Sequence, residues 1–221
     1  MASSPASSLT PFQTELLLAF FAREGRFFLT GGGALAGFYL GHRTTEDLDL
    51  FSGPGPELAE AAAGVNAAAL DCGATTESLR IYPDFRRLLA ARGDERCIVD
   101  LVIDRAPMID AEKAHFGTVR VDTVREIAAN KICTLLSRSE IKDLVDLRAL
   151  LAGGAELEVA LADAERKDAG TDPATLAWIL DQVTISPQAA LPGGVDAGEV
   201  DAFRRELVQR LRTLAFARAR R

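Results

Sequence analysis

The stretch from residue 27 to residue 51, FFLTGGGALAGFYLGHRTTEDLDLF, constrains the fold more than any other part of the chain. A short apolar run meets three consecutive glycines, Gly31, Gly32 and Gly33. Without side chains the backbone can come close to other atoms, which suits a passage from strand to helix. Residues 34–40 then read as a helix that opens on the glycines. A second strand follows at 47–51. Residues two apart in a strand share a face, so Asp47 and Asp49 point together while Leu48 and Leu50 face a core. A chain containing this stretch is expected to build a sheet with one apolar face and one acid-bearing face.

The remaining pattern surrounds that stretch. Residues 1–10 are small and polar and are expected to fray. Residues 11–24 carry Phe12, Leu16, Ala19 and Phe20 at helical spacing, with Thr10 as the cap. A strand is expected at 26–29, and a helix at 57–70 after the loop Ser52-Gly-Pro-Gly-Pro. Residues 75–82, 85–91 and 96–103 read as three strands joined tightly enough to be antiparallel. The middle one, FRRLLAAR, fits a short helix equally well. Residues 117–121 suggest one more short strand. Beyond residue 122 the pattern is helical, at 123–137, 140–151, 156–167, 173–181 and 197–216, with SPQAALPGGVDAG as a loop. The result is an α+β chain, with an α/β core over 1–120 and a helical domain over 121–221.

Composition excludes several classes. Of 221 residues, 48% are hydrophobic, enough for a sizeable core. The net charge of −7 argues against a generally basic nucleic-acid-coating protein, though not against a local basic patch. Three cysteines, Cys72, Cys97 and Cys133, form no CxxC pair, which disfavours a disulfide framework or zinc site and fits a reducing cytoplasm. No apolar run reaches membrane-spanning length. The N-terminal residues lack the basic region and apolar core of a signal peptide.

The acids carry the chemistry. Two adjacent carboxylates repel, and a divalent cation such as Mg²⁺ would relieve that cost; a solvated strand end is the plain alternative. Asp100 shares a strand face with Ile98 and Val102. It would be costly to bury alone, so it is expected to face the Asp47/Asp49 pair from a neighbouring strand, binding metal or accepting a proton. Asp104, near the strand end, reads as a surface residue. The glycines fit neither GxGxxG nor a P-loop, yet they could bring backbone N–H groups to a phosphate. Arg43 is the better phosphate contact beside them, because its fork matches such oxygens; His42 reads as structural. Two histidines, His42 and His115, make no metal cluster. Lys131 falls inside the apolar stripe of its helix, and Asp143 and Asp146 lie near the next one. They could pair with Lys131, Arg43 or Arg138, as a structural ion pair or as part of a site. Residues 203–221 hold seven arginines and one glutamate, either a solvated face or a nucleic-acid contact.

These residues together resemble the AbiEii/AbiGii-type nucleotidyltransferases, a branch of the DNA polymerase β-like nucleotidyltransferase superfamily. GGGALAGFYLGHRTTEDLDLF at 31–51 is close to that family's GGTAL…GHR.S.DLDLF. IVDLV at 98–102 matches its strand with the third acid. NKICTLLSRSEIKDLVDL at 130–147 matches its lysine-bearing helix and the R…D..D pattern that follows. The resemblance covers residues 26–151. It implies a polymerase β-like core with a small mixed sheet flanked by helices, then a C-terminal helical bundle. By position, Gly31, Gly32 and Gly33 would cradle the triphosphate, with Gly33 in place of the usual Thr. Asp47, Asp49 and Asp100 would hold Mg²⁺, Arg43 and Lys131 would contact the nucleotide, and Lys131 and Asp143 would match the later motifs, with Asp146 beside them. The implied activity is metal-dependent transfer of an NMP from an NTP to an acceptor hydroxyl. The implied setting is the toxin of a bacterial toxin–antitoxin or phage-defence pair, with RNA such as a tRNA end as acceptor and a cognate antitoxin as partner. The alternatives are a small-molecule acceptor such as an aminoglycoside, or a non-catalytic partner-binding module of the same fold.

Overall fold

The computed structural model describes residues 8–138 and 140–220. The leading residues 1–7, expected to fray, lie outside the described residues, as do Ser139 and Arg221. The chain forms two compact units. One runs to Arg105 and includes Ala111–Thr123; the other comprises Ala106–Asp110 and the chain from Val124 onward.

The first unit opens with α1 (Pro11–Phe21). Thr10 and Gln13 cap it reciprocally. The Thr10 hydroxyl accepts from the Gln13 N–H at 3.1 Å, and the Gln13 side chain accepts from the Thr10 N–H at 2.8 Å. The helix stops short of residue 24. The Glu24 carboxylate instead accepts from the Arg26 N–H at 2.7 Å, which fixes the chain in its turn toward the first strand.

Strands β1 (Phe28–Thr30), β2 (Asp47–Ser52), β3 (Thr75–Tyr82), β4 (Phe85–Arg92), β5 (Glu95–Ile103), β6 (Ala114–Phe116) and β7 (Val119–Val121) form one seven-stranded sheet in the order β3-β4-β5-β2-β1-β7-β6. It is mixed: β2 pairs β5 and β1 pairs β7 in parallel, and the other neighbours are antiparallel. FRRLLAAR is therefore a strand. Residues 117–121 are not one strand but the turn and second arm of a hairpin. Gly117 takes φ +63°, a left-handed conformation that favours glycine, and reverses the chain there.

The core lies on the leucine face. Leu48 and Leu50 are each 1% exposed, and together with Val99 they adjoin Leu16, Leu17 and Phe20 of α1 and Val65 of α3 (Leu58–Asp71). Each such side chain stabilises the fold by about 1.5–3 kcal/mol relative to exposure. This burial fixes the register of β2, because a slip by one residue would turn both aspartates into the core.

The helix expected over 34–40 begins earlier, at the glycines themselves. They form the first turn of α2 (Gly31–Ala34), which continues as π-helical turns over Leu35–Leu40 and ends at Gly41 with φ +60°.

The second unit is helical: α4 (Val124–Ser137), α5 (Ile141–Ala152), α6 (Leu157–Lys167), α7 (Pro173–Gln182) and α8 (Ala197–Arg218). Residues 106–110 belong with it because Glu126 captures them. Its carboxylate accepts from the N–H groups of Ile109 at 2.7 Å and Asp110 at 2.8 Å, and it also pairs with Lys167. No described helix is long and apolar enough to cross a membrane.

Candidate active site

Register brings the acids together. Asp49 is opposite Asp100 in the parallel β2–β5 pair, Asp100 is opposite Arg87 in β4–β5, and Asp49 is opposite Thr30 in β1–β2. Paired residues share a face, so Arg87, Asp100, Asp49 and Thr30 form one polar row across four strands, with Asp47 one step along β2. Asp47 and Asp49 are half-buried, and Asp100 is buried.

Each acid has a defined setting. The Thr45 hydroxyl donates to Asp47 Oδ1 at 2.8 Å, and the buried Gln13 amide holds the Thr45 carbonyl at 2.9 Å. Helix α1 thus fixes the approach to β2. Asp100 is gripped by the Arg87 fork, Nε to Oδ1 at 2.7 Å and Nη2 to Oδ2 at 2.6 Å. That bond raises the Arg87 pKa; burial opposes it, and the charges of Asp47 and Asp49 add to it. Nearby, burial pushes the Cys97 thiol up to about 12, with the Asp47 charge contributing, so the thiol stays protonated.

Asp47, Asp49 and Asp100, expected as metal ligands, share one face; their side chains do not converge as a ready-made cluster among the described residues, and Arg87 takes both Asp100 oxygens.

The glycine turn is shaped by the site's own side chains. A Cβ on Gly31, whose φ is +64°, would collide with the Asp49 carboxylate, and one on Gly32 would collide with the Arg43 guanidinium. A Cβ on Gly33 would sit 3.3 Å from the Asp47 carbonyl and 3.6 Å from side-chain carbons of Leu29 and Leu48. Position 33 therefore faces the packing between α2 and β2. Arg43 is buried, with Nη1 donating to the Thr44 carbonyl at 3.0 Å.

In the helical unit, Lys131 Nζ lies 2.8 Å from Asp143 and 2.6 Å from Asp146, and Arg138 Nε lies 2.9 Å from Asp143. Lys131 is 4% exposed and both aspartates 0%. Burial alone would lower the Lys131 pKa, but the charges of Asp146 and Asp143 raise it. Burial likewise pushes Asp143 up, and the bonds from Arg138 and Lys131 outweigh it, leaving its pKa below the ordinary value. Of the partners open from sequence, Asp143 takes both Lys131 and Arg138, and Asp146 takes Lys131. This is a buried ion cluster joining α4 to α5. Asp104 lies just beyond β5, half-buried, its N–H on the Ser52 carbonyl at 2.8 Å.

The arginine-rich end is largely neutralised within its own unit. Arg212 pairs with Asp181 at 2.8 Å, Arg210 with Glu158 at 3.4 Å, Arg204 and Arg205 with Asp201, and Arg218 with Glu165.

Sequence reasoning missed Arg87, Thr45 and Asp122. The Asp122 carboxylate accepts from Thr30 Oγ1 at 2.7 Å and from the buried Lys113 at 2.8 Å, closing the far end of the polar row. A signal for Arg87 existed. The two-residue turn Gly93-Asp94 pairs Arg92 with Glu95, and counting back along both strands pairs Arg87 with Asp100.

The fold, a mixed sheet followed by a helical unit, is similar to that of solved nucleotidyltransferase structures. A nucleotidyltransferase crystal structure from Helicobacter pylori matches at 20% identity with a TM-score of 0.54, covering 92% of this chain and 94% of the other. MenT4, a nucleotidyltransferase toxin from Mycobacterium tuberculosis, matches at 14% identity with a TM-score of 0.58, covering 90% and 81%. No curated protein matches the chain. The family model described as nucleotidyl transferase AbiEii toxin, type IV toxin–antitoxin system, matches residues 15–221. The chain belongs to that family and is a nucleotidyltransferase.

Proposed function

We propose that this chain transfers an NMP from an NTP to a hydroxyl of RNA, such as a tRNA end, in a Mg²⁺-dependent reaction, as the cytoplasmic toxin of a pair with a cognate antitoxin. The observation that carries the transfer chemistry is the pairing of Asp49 with Asp100, with Asp47 beside them on the same half-buried face. The donor set fits the metal. Asp47 and Asp49 offer hard carboxylate oxygens, and Mg²⁺ commonly takes one or two carboxylates plus substrate phosphates. When bound, Mg²⁺ would offset charge on the phosphate oxygens and the leaving pyrophosphate.

The chain's own residues do the rest. Thr45 keeps Asp47 oriented. Arg43, packed on Gly32, offers a guanidinium to a phosphate oxygen. Asp100 would join Asp47 and Asp49 in holding the metal, and the proton of the acceptor hydroxyl passes to solvent water. The freed oxygen bonds to the α-phosphorus, the bond from that phosphorus to the bridging oxygen breaks, and pyrophosphate leaves. Lys131 and Asp143 hold α4 to α5 through the ion cluster. RNA as the acceptor class rests on kinship with nucleotidyltransferase toxins.

The test is incubation of the protein with α-labelled NTPs, Mg²⁺ and total RNA. Label should enter RNA with wild type and not with Asp49→Asn. Label reaching an aminoglycoside and not RNA would move the acceptor to a small molecule, and no transfer from any NTP to either would overturn the proposal.

A further inference from the structure

We propose that Arg87 is a positioning residue of this site, a built-in counter-cation that holds Asp100 until a divalent cation displaces it. The inference rests on the reading of the acid face as the metal site. Three carboxylates on adjacent positions of two strands repel one another, and the fold must offset that charge when no metal is bound. Arg87 stands where such an offset is needed. It lies opposite Asp100 in register, grips both carboxylate oxygens, and feels the charges of Asp47 and Asp49.

The two partners differ in freedom. The Asp100 side chain keeps 7% of its surface and the Arg87 side chain 34%. Asp100 is fixed in the sheet, whereas the guanidinium has an open side through which it can swing away. Arg87 and a divalent cation therefore compete for the same two oxygens. Nucleotide phosphates supply Arg87 with a new anionic partner as it leaves, which couples nucleotide binding to metal binding.

The experiment measures Mn²⁺ binding to the full chain, without nucleotide, from the electron paramagnetic resonance signal of free Mn²⁺. Arg87→Met should bind Mn²⁺ about tenfold or more tighter than wild type, the worth of a charge-assisted hydrogen bond. The gain should vanish when Arg87→Met is combined with Asp100→Asn. Equal or weaker binding by Arg87→Met, still lost in Asp49→Asn, overturns the counter-cation and leaves the metal site standing. No binding by wild type or Arg87→Met overturns both. Where Arg87→Met lacks a cooperative melt, Arg87→Gln decides. It removes the charge but keeps a polar side chain, so a folded Arg87→Gln protein with unchanged Mn²⁺ affinity overturns the proposal.

Discussion

Asp49 and Asp100 occupy the same rung of the sheet, opposite one another across the parallel β2–β5 pair. Strands β2 and β5 lie far apart in sequence, and the long antiparallel run of β3 and β4 separates them. The fold brings β5 back beside β2 and so assembles on one face a charge density that neither strand carries alone. The same face holds Arg87, so the site is built as a balance of charges.

Asp47→Asn or Asp49→Asn removes a charged oxygen donor without changing side-chain volume. Nucleotidyl transfer should fall on the order of 100-fold or more, the scale on which loss of one electrostatic contact acts in a preorganised site. The melting temperature should stay within about 4 °C of wild type, because a half-buried carboxylate-to-amide exchange costs the fold little. A large drop in melting temperature with residual activity per folded molecule would assign these acids to structure.

The ion cluster behaves differently. Lys131 sits between two fully buried aspartates, and removing one partner leaves buried charge uncompensated. Asp143→Ala should destabilise the protein by about 3–5 kcal/mol, seen as a lower denaturant midpoint. The pH dependence has a definite sign. The folded Asp143 pKa lies below its ordinary 3.8, so the contribution is complete above 3.8 and fades as pH falls through the folded value. The folded Lys131 pKa lies above 10.5, so its contribution is complete below 10.5 and fades as pH rises through the folded value. The gap between wild type and Asp143→Ala should therefore be flat across neutral pH and close only toward the two extremes. A gap that peaks sharply near neutrality would contradict this assignment.

Thiol chemistry gives an independent check on the acid face. Cys97 is 1% exposed, and its pKa is pushed up to about 12 by burial and the Asp47 charge. Under native conditions at about pH 8 a thiol reagent should modify Cys97 at the rate of global unfolding, while the partly exposed Cys72 and Cys133 react earlier. Asp47→Asn should leave Cys97 protected, since burial is the larger cause. Fast labelling of Cys97 in the wild-type protein would mean that β5 is not packed as described.

Much of this was readable from the sequence wherever a local rule sufficed. Alternation along β2 gave both the leucine core and the aspartate face, and Thr10 announced the start of α1. What escaped depended on register or on partners distant in sequence. Arg87 becomes a site residue only once the β4–β5 turn is counted back to Asp100. The hairpin of β6 and β7 escaped because three-residue strands have too little periodicity, and Gly117 looked like a strand end when it is the turn itself. Lys131 in an apolar stripe was conspicuous, but its two carboxylate partners depend on how α4 meets α5. The glycines were noticed for their sequence, and their reason emerged only in three dimensions: Asp49 and Arg43 occupy the space where side chains would be.

Gly31 carries two separate costs. Its φ of +64° disfavours any other residue, and a Cβ there would also collide with the Asp49 carboxylate. Gly93 has φ +56° with open space where a Cβ would stand, so it shares the first cost and lacks the second. Gly31→Ala and Gly93→Ala should each lose about 1–2 kcal/mol of stability from the left-handed backbone. Only Gly31→Ala forces a carboxylate out of place, so only it should lose Mn²⁺ binding and nucleotidyl transfer. Thermal melts and Mn²⁺ titrations of the two variants side by side check this. Equal loss of Mn²⁺ binding in both would show that backbone strain, not the contact with Asp49, explains why position 31 is glycine.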